Sequence, residues 1–475
     1  MTRQGDAMFS LREAAALIPG ATVLGDDSVT FERVSTDSRT AGPGDLFVAL
    51  KGERFDAHDF LPEVASRHVS AALVTRSPGD WRVPALRVTD TRVALGVLAR
   101  GWRRRFTMPL VAVTGSNGKT TVKEMIASIF AAAVGETSRL ATAGNFNNDI
   151  GVPLTLFRLN DTHRLAVVEL GMNHPGETRL LANIAEPTVA VVNNAQREHQ
   201  EFMATVEAVA LEHASVIHAL TPDGIAVFPA DDAYAGIWRV AATGNRVIDF
   251  ALNSDECITE AAVTGRFDGN RLSIDTSEGH LDVTLQVLGA HNARNALAAT
   301  AAALAAGVPL DAIKRGLEAF GAVKGRLHLR RATLGVLAGA TVIDDTYNAN
   351  PDSMRAAIDV LATRPSPRVL VMGDMAEVGD EGPAFHREVG AYAKECGIDA
   401  LYAIGAATPD ACAAYGPSAR HAADVPALIA QLQQTGLTAT ATILVKGSRF
   451  MKMERVVDAL TSPQTDAAGD KPTAH

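Results

Sequence analysis

Residues 110–121 constrain this chain more than any other stretch. An apolar run, Leu110-Val111-Ala112-Val113, hands over to Thr114-Gly115-Ser116-Asn117-Gly118-Lys119-Thr120-Thr121. Apolar residues then recur at Val122, Met125, Ile126, Ile129 and Phe130, the spacing of one helical face. A buried strand, a glycine loop and a helix in that order make a nucleotide site. Gly115 and Gly118 let backbone N–H groups turn toward a phosphate, and the helix N-terminus adds partial positive charge. Lys119 is placed to reach terminal phosphates, and the Thr120 hydroxyl suits magnesium. Val113 stands where the general phosphate-loop pattern has its first glycine, so this loop is a shorter variant. The expected nucleotide contacts here are Thr114, Gly115, Ser116, Asn117, Gly118, Lys119, Thr120 and Thr121. A glycine turn that merely caps a helix leaves the flanking strand unexplained.

The surroundings are those of an α/β protein. Further apolar strands are expected at 165–170 and 188–192 with alanine-rich helices between them, which implies a parallel sheet covered on both faces. At 475 residues the chain exceeds one ordinary core. Three modules are expected: residues 1–107; a central domain at 108–325; and a second α/β domain at 326–461, followed by a polar tail at 462–475. The last module repeats the rhythm with strands at 341–345, 368–372, 400–404 and 442–446. Each ends in a polar loop at the carboxyl edge, where open sheets bind ligands. Residues 225–288 alternate in short runs with the turn Asp268-Gly269-Asn270, read as an antiparallel extension. Residues 92–106 read as a helix whose closing triplet Arg103-Arg104-Arg105 is solvated.

Composition removes several function classes. The formal charge of −10 argues against a nucleic-acid protein, which needs a basic face. Cys257, Cys396 and Cys412 form no CxxC, so neither a disulfide framework nor a zinc site is expected. No early apolar run is long enough for a signal peptide or membrane span, and a cytoplasmic protein is expected. A dinucleotide oxidoreductase is disfavoured, because no GxGxxG follows an early strand.

The loop TGSNGKTT resembles that of the Mur ligases and of folylpolyglutamate synthetases, and other motifs extend the resemblance over nearly the whole chain. Glu169 closes the next strand in Val168-Glu169-Leu170-Gly171, and His199 follows Asn193-Asn194-Ala195. The resemblance implies that Glu169 and His199, with Thr120, ligate Mg²⁺, for which oxygen donors are well suited. His291-Asn292-Ala293-Arg294-Asn295 resembles the family's HNxxN signature, which implies that Asn292, and secondarily Asn295, meets the adenine. Helix capping is compatible with the same residues. Arg326 stands where the family has a domain-junction arginine that meets ATP.

The resemblance also implies which substrates are used. Ser35-Thr36-Asp37-Ser38-Arg39, followed by the run from Pro43 to Gly52, is similar to the module with which late Mur ligases hold the UDP end of their substrate; Ser38 and Arg39 are its candidate contacts. Ala57 replaces the usual glycine of the next motif. Asp344-Asp345-Thr346-Tyr347-Asn348-Ala349-Asn350-Pro351 resembles the signature of the family member that adds D-alanyl-D-alanine. The implied reaction is ATP-dependent ligation of that dipeptide to UDP-N-acetylmuramoyl-tripeptide through an acyl phosphate, forming the pentapeptide precursor of peptidoglycan. Roles in cell shape and division would follow. Asn145 and Asn148 are implied substrate contacts, Asn348, Asn350 and Lys446 dipeptide contacts, and Asp345 a nucleotide or lysine-network contact. The enzyme is expected to be monomeric and open when free.

One position departs from the family. Several of these ligases carry a carbamylated lysine in an AKxE stretch after the magnesium-binding histidine. Here the stretch reads Ala210-Leu211-Glu212-His213-Ala214-Ser215, with His213 in place of the lysine. His213 is therefore expected to ligate or orient the second magnesium shell directly, an ordinary polar helix residue being the alternative. Lys119, Glu169, His199 and His213 form the expected catalytic set. A sibling ligase taking another amine, or a P-loop ATPase that releases phosphate without a carboxylate substrate, remain as rival readings.

Overall fold

The computed structural model describes residues 7–76, 82–434 and 436–462; nearly all of the expected tail, from residue 463, lies outside them. The central sheet has six parallel strands in the order Arg246–Val247, Ile225–Val227, Val189–Val192, Leu110–Thr114, Leu165–Glu169 and Arg139–Ala141. Val111 and Val113 enter a core shared with the helices Lys119–Val134 and Ala290–Ala305. Leu110 and Ala112 enter the opposite core, shared with the helices Glu177–Ala185 and Val206–His218. Both faces are dry, which is why the strand reads as a continuous apolar run rather than an alternating one. Each fully buried valine or leucine contributes about 1.5–3 kcal/mol, so the sheet is a rigid base for its loops.

The chain changes direction beside Leu110–Thr114: Leu165–Glu169 lies on one side and Val189–Val192 on the other. Their carboxyl ends therefore gather the phosphate loop, Glu169 and Asn193 at one edge, the usual place for a ligand in an open α/β sheet.

Residues 225–288 differ in part from the antiparallel extension expected of them. Ile225–Val227 is a parallel strand of the central sheet. Val263–Asp268, Arg271–Thr276 and Gly279–Thr284 are antiparallel, turning at Gly269, but Phe250–Asn253 joins this small sheet in parallel.

The N-terminal sheet runs Thr22–Leu24, Ala85–Arg87, Ala71–Val74, Asp45–Val48, Arg33–Ser35. Its core is continuous with the central domain through the helix Thr91–Arg103, whose Leu95 and Leu98 share a cluster with Leu110 and Leu181. Of the arginine triplet expected to be solvated, Arg104 and Arg105 are exposed but Arg103 is not. Arg103 is buried, and its guanidinium donates to the carbonyls of Ala185 and Phe106. Arg104 bonds Glu186 at 2.8 Å. The carbonyls left over at the end of the helix Glu177–Ala185 draw Arg103 inward.

The C-terminal sheet has the order His328–Arg331, Thr341–Asp345, Thr442–Lys446, Arg368–Gly373, Ala400–Ile404, Ala419–Ala422, parallel except for the first strand. Among the described residues no helix is long and apolar enough to cross a membrane.

Candidate active site

The phosphate loop is held in shape before any ligand arrives. Gly118 precedes the helix at φ +82°, in the left-handed region that glycine tolerates. The Asn117 N–H donates to Asn194 Oδ1 at 2.9 Å, and its carbonyl accepts from the amides of Asn193 and Asn194 at 2.7 and 2.9 Å. Ser116 Oγ donates to the Gln196 carbonyl and accepts from its N–H at 2.8 Å. Asn193 Nδ2 continues to Asn295 Oδ1 at 2.9 Å, Asn295 Nδ2 to Asn292 Oδ1 at 3.0 Å, and Asn292 Nδ2 to the Leu288 carbonyl at 2.7 Å. This chain of amides ties the loop to the helix Ala290–Ala305. Neither asparagine caps that helix, which begins after Gly289 without a side-chain cap.

The loop opens onto a cleft of about 830 Å³ between the central and C-terminal domains. Lys119, Thr120, Glu169, His199, Asn292, Arg326 and Asp345 all line it, so the structure brings these sequence candidates together. Lys119 Nζ donates to the carbonyls of Gly115 and Ser116 and sits 3.2 Å from Glu198 Oε2. Glu169 is buried; Asn147 Nδ2 donates to its Oε1 at 2.8 Å, while its Oε2 has no partner. His199 adopts φ +47°, a conformation that costs a non-glycine residue about 1–2 kcal/mol and that surrounding contacts must hold. Its Nδ1 lies 2.8 Å from Glu377 Oε2 but off the hydrogen-bonding direction.

Glu198 is the residue that sequence reasoning missed. It is 5% exposed, lines the cleft, and receives His213 Nε2 at 2.9 Å on Oε1. Burial pushes its carboxyl up, but the charge of Lys119 together with His213 and His199 outweighs this and holds it at about 2. The substitution of histidine for lysine at position 213 was the available signal, since the missing acidic group had to come from elsewhere.

Several expected contacts fall differently. His213 is fully buried, does not line the cleft, and has both ring nitrogens engaged, with Thr114 Oγ1 at 3.0 Å and with Glu198. It has no free nitrogen for a metal, and its expected role as a ligand is corrected to one of support. Thr114 is likewise buried behind the loop rather than in the cleft. Lys446 lines the cleft but is 3% exposed, its Nζ already engaged 2.6 Å from Asp345 Oδ2 and donating to the Asn348 carbonyl at 2.8 Å. Asn350 caps the helix Pro351–Ala362. Asn148 lines the cleft but spends Oδ1 on the Gly151 N–H. Asn145 is exposed outside the cleft lining. Ser38 and Arg39 lie on the turn after Arg33–Ser35, also outside it, and Arg39 pairs with Asp37 at 2.7 Å.

Besides His199 and Glu377, further polar contacts join the two domains across the cleft. Arg326 Nη2 donates to Thr120 Oγ1 at 2.8 Å, its guanidinium lies over the Tyr347 ring at 4.2 Å, and its buried Nε has no partner. Asn350 Nδ2 donates to Asn117 Oδ1 at 3.0 Å, and the Glu201 N–H donates to the Glu377 carbonyl at 3.3 Å. Arg197 binds Asp352 at 2.6 Å and Glu388 at 2.7 Å. These arginine bonds are partly solvated, so replacing Arg197 by alanine is expected to cost about 1 kcal/mol of closure. Small-angle scattering with a nucleotide analogue should then show a larger population of extended molecules; an unchanged profile would contradict it. Acid should act in the same direction. Hydrogen bonding to Arg197 holds the Glu388 carboxyl below its ordinary value, so its contribution to closure is complete above the value of the open form, where the carboxyl is freed from Arg197. That contribution is lost as the pH falls through the lower value of the closed form.

Fold and site together define a P-loop nucleotide enzyme that works at the junction of two α/β domains. Residues 113–303 match the family model of the Mur ligase middle domain, and residues 325–449 that of the Mur ligase glutamate ligase domain. A UDP-N-acetylmuramoyl-tripeptide–D-alanyl-D-alanine ligase of Haemophilus influenzae is 40% identical over 94% of this chain and 97% of its own length. One of Escherichia coli is 44% identical over 91% and 94%. The crystal structure of MurF from Acinetobacter baumannii superposes with a TM-score of 0.85 at 35% identity, covering 95% of this chain and 97% of that one. MurF ligase from Thermotoga maritima in complex with ADP gives 0.78 at 25% identity, covering 90% and 96%. The chain belongs to the Mur ligase family.

Proposed function

We infer that this protein joins D-alanyl-D-alanine to UDP-N-acetylmuramoyl-tripeptide at the expense of ATP, making the pentapeptide precursor of peptidoglycan. The observation that carries this reading is full-length similarity to ligases of that name, combined with a phosphate loop facing a second α/β domain across one cleft. A carboxylate does not condense with an amine unaided, because its oxygen is a poor leaving group. Transfer of the γ-phosphoryl group to the tripeptide carboxylate makes an acyl phosphate. The dipeptide amine attacks its carbonyl carbon, and the tetrahedral intermediate expels phosphate.

Lys119 and the loop N–H groups balance charge on the transferring phosphoryl group, and Arg326, with its unpaired Nε, adds a donor from the domain junction. Asn292, which lines the cleft, is the residue assigned to the base. The orphaned Glu169 Oε2 in the cleft is an acceptor that suits a divalent cation. Thr120, Glu169 and His199 are the residues that would hold Mg²⁺, whose chemistry is to neutralise phosphate charge and polarise the phosphoryl oxygens. Among the described residues no group of three acidic, histidine or cysteine side chains converges as a metal cage. Closure of the C-terminal domain excludes water from the acyl phosphate. The N-terminal module, with Ser38 and Arg39, holds the UDP end. The domain limits 1–107, 108–325 and 326–461, a cytoplasmic location, monomeric state, and service to cell shape and division complete the proposal.

Offering the purified protein a panel of amines tests the reading. Coupling with D-alanyl-D-alanine alone supports it; preferential coupling of a diamino acid or glutamate to a shorter nucleotide precursor would assign a sibling activity instead.

A further inference from the structure

Glu198 and His213 have no task in the reaction as described, yet both are buried at its centre. Taking an ionised carboxylate out of water costs several kcal/mol unless partners replace its hydration. Glu198 has those partners on both sides. Behind it, His213 Nε2 approaches Oε1 at 2.9 Å. The other ring nitrogen, Nδ1, is 3.0 Å from the hydroxyl of Thr114, the last residue of the strand that carries the phosphate loop. His213 thus spans the gap between the carboxylate and the strand, with Nε2 toward Glu198 and Nδ1 toward Thr114. In front, Oε2 faces the cleft, 3.2 Å from Lys119 Nζ and 3.8 Å from His199 Nε2. The carboxylate is thus clamped at one oxygen and presents the other beside the lysine and histidine of the reacting site.

We propose that Glu198 is a built-in carboxylate of the phosphoryl-transfer site, sharing the divalent cation with His199, and that His213 is its positioning residue. The pair supplies from the protein's own side chains the negative group that the family resemblance would otherwise assign to a carbamylated lysine at this place. Lys119 is the partner of Glu198 before nucleotide binds. With phosphates bound, the ammonium would turn to them, and Oε2 would be free to hold the cation together with His199. No CO₂ is then needed.

This inference rests on the ligase reading, and the experiment separates the two. Mn²⁺ titrated into the protein with a non-hydrolysable ATP analogue, followed by electron paramagnetic resonance, reports the cation site without any turnover. Glu198→Gln preserves shape and removes charge; it should weaken Mn²⁺ binding about tenfold or more. It should also lower kcat about a hundredfold with KM for ATP little changed. His213→Gln, should Glu198→Gln fail to fold, is expected to lose about tenfold in the same two readouts. Wild-type ligation should be the same in CO₂-depleted and bicarbonate-supplemented buffer. The double variant Glu198→Ala, His213→Lys should recover activity only when bicarbonate is added. Wild-type Mn²⁺ binding in the glutamine variants, or wild-type turnover that needs bicarbonate, would overturn the proposal. Absence of product from the wild type under every condition would instead defeat the ligase reading, while the Mn²⁺ result would still decide the role of Glu198.

Discussion

Replacing Lys119 with methionine is expected to lower kcat at least about a hundredfold, the scale on which enzymes lose a single preorganised charge at a reacting oxygen. The side chain projects from the first turn of the helix Lys119–Val134, and its ammonium is fixed by two loop carbonyls and Glu198. It is therefore held at the loop before substrate binds, and its loss removes charge stabilisation from the transition state. A second consequence follows from burial. Methionine leaves the Glu198 carboxylate facing the cleft without its closest cation, so the melting temperature should fall as well. Lys119→Arg separates the effects: it retains charge and stability but cannot place a compact ammonium at the same point. Single-turnover phosphate release and thermal melting of both variants check this. Undiminished kcat in Lys119→Met would remove the lysine from the mechanism.

Gly118→Ala is expected to weaken nucleotide binding about a hundredfold, equivalent to roughly 3 kcal/mol. Two costs add. An alanine at φ +82° pays about 1–2 kcal/mol for the left-handed conformation. Its Cβ would also stand 2.5 Å from Asn295 Oδ1 and 2.7 Å from Asn193 Nδ2, too close for any real contact. Those two atoms are hydrogen-bonded to each other, so pushing them apart unpairs a buried amide, at about 1–3 kcal/mol. The disturbance travels along the same chain of amides to Asn292, so the phosphate and base subsites should weaken together. Calorimetric titration with ADP measures the loss. Affinity within a factor of two of wild type would show that the loop's shape is not preset by these contacts.

These two residues were legible in the sequence because strand, loop and helix are contiguous, and each local preference agrees with the fold. The same holds for Glu169, which sits where an apolar strand ends. What escaped depends on which distant strands become neighbours. Asp345 and Lys446 are paired in register on adjacent parallel strands, so a lysine that looks like a ligand for substrate is instead neutralised by the carboxylate beside it. Nothing within either segment announces that adjacency. Arg103 escaped for a similar reason, since the helix end that draws it inward belongs to a segment more than 70 residues away, at Glu177–Ala185. Glu198 was hidden by its neighbours: between Arg197 and His199 it reads as one charge in a solvated run, and only the fold places His213 behind it. Position 213 did carry a hint, because a histidine there can support an acidic group but cannot become one.

Phosphate release by this enzyme is coupled to joining a tripeptide carboxylate to D-alanyl-D-alanine. The direct test mixes the purified protein with ATP, Mg²⁺ and UDP-N-acetylmuramoyl-tripeptide, with and without the dipeptide, and follows both phosphate and product mass. Sustained release that requires both substrates, with a product heavier by the dipeptide less one water, is the expected result. Sustained release indifferent to the dipeptide would contradict the assigned amine, and release indifferent to both substrates would contradict ligation itself.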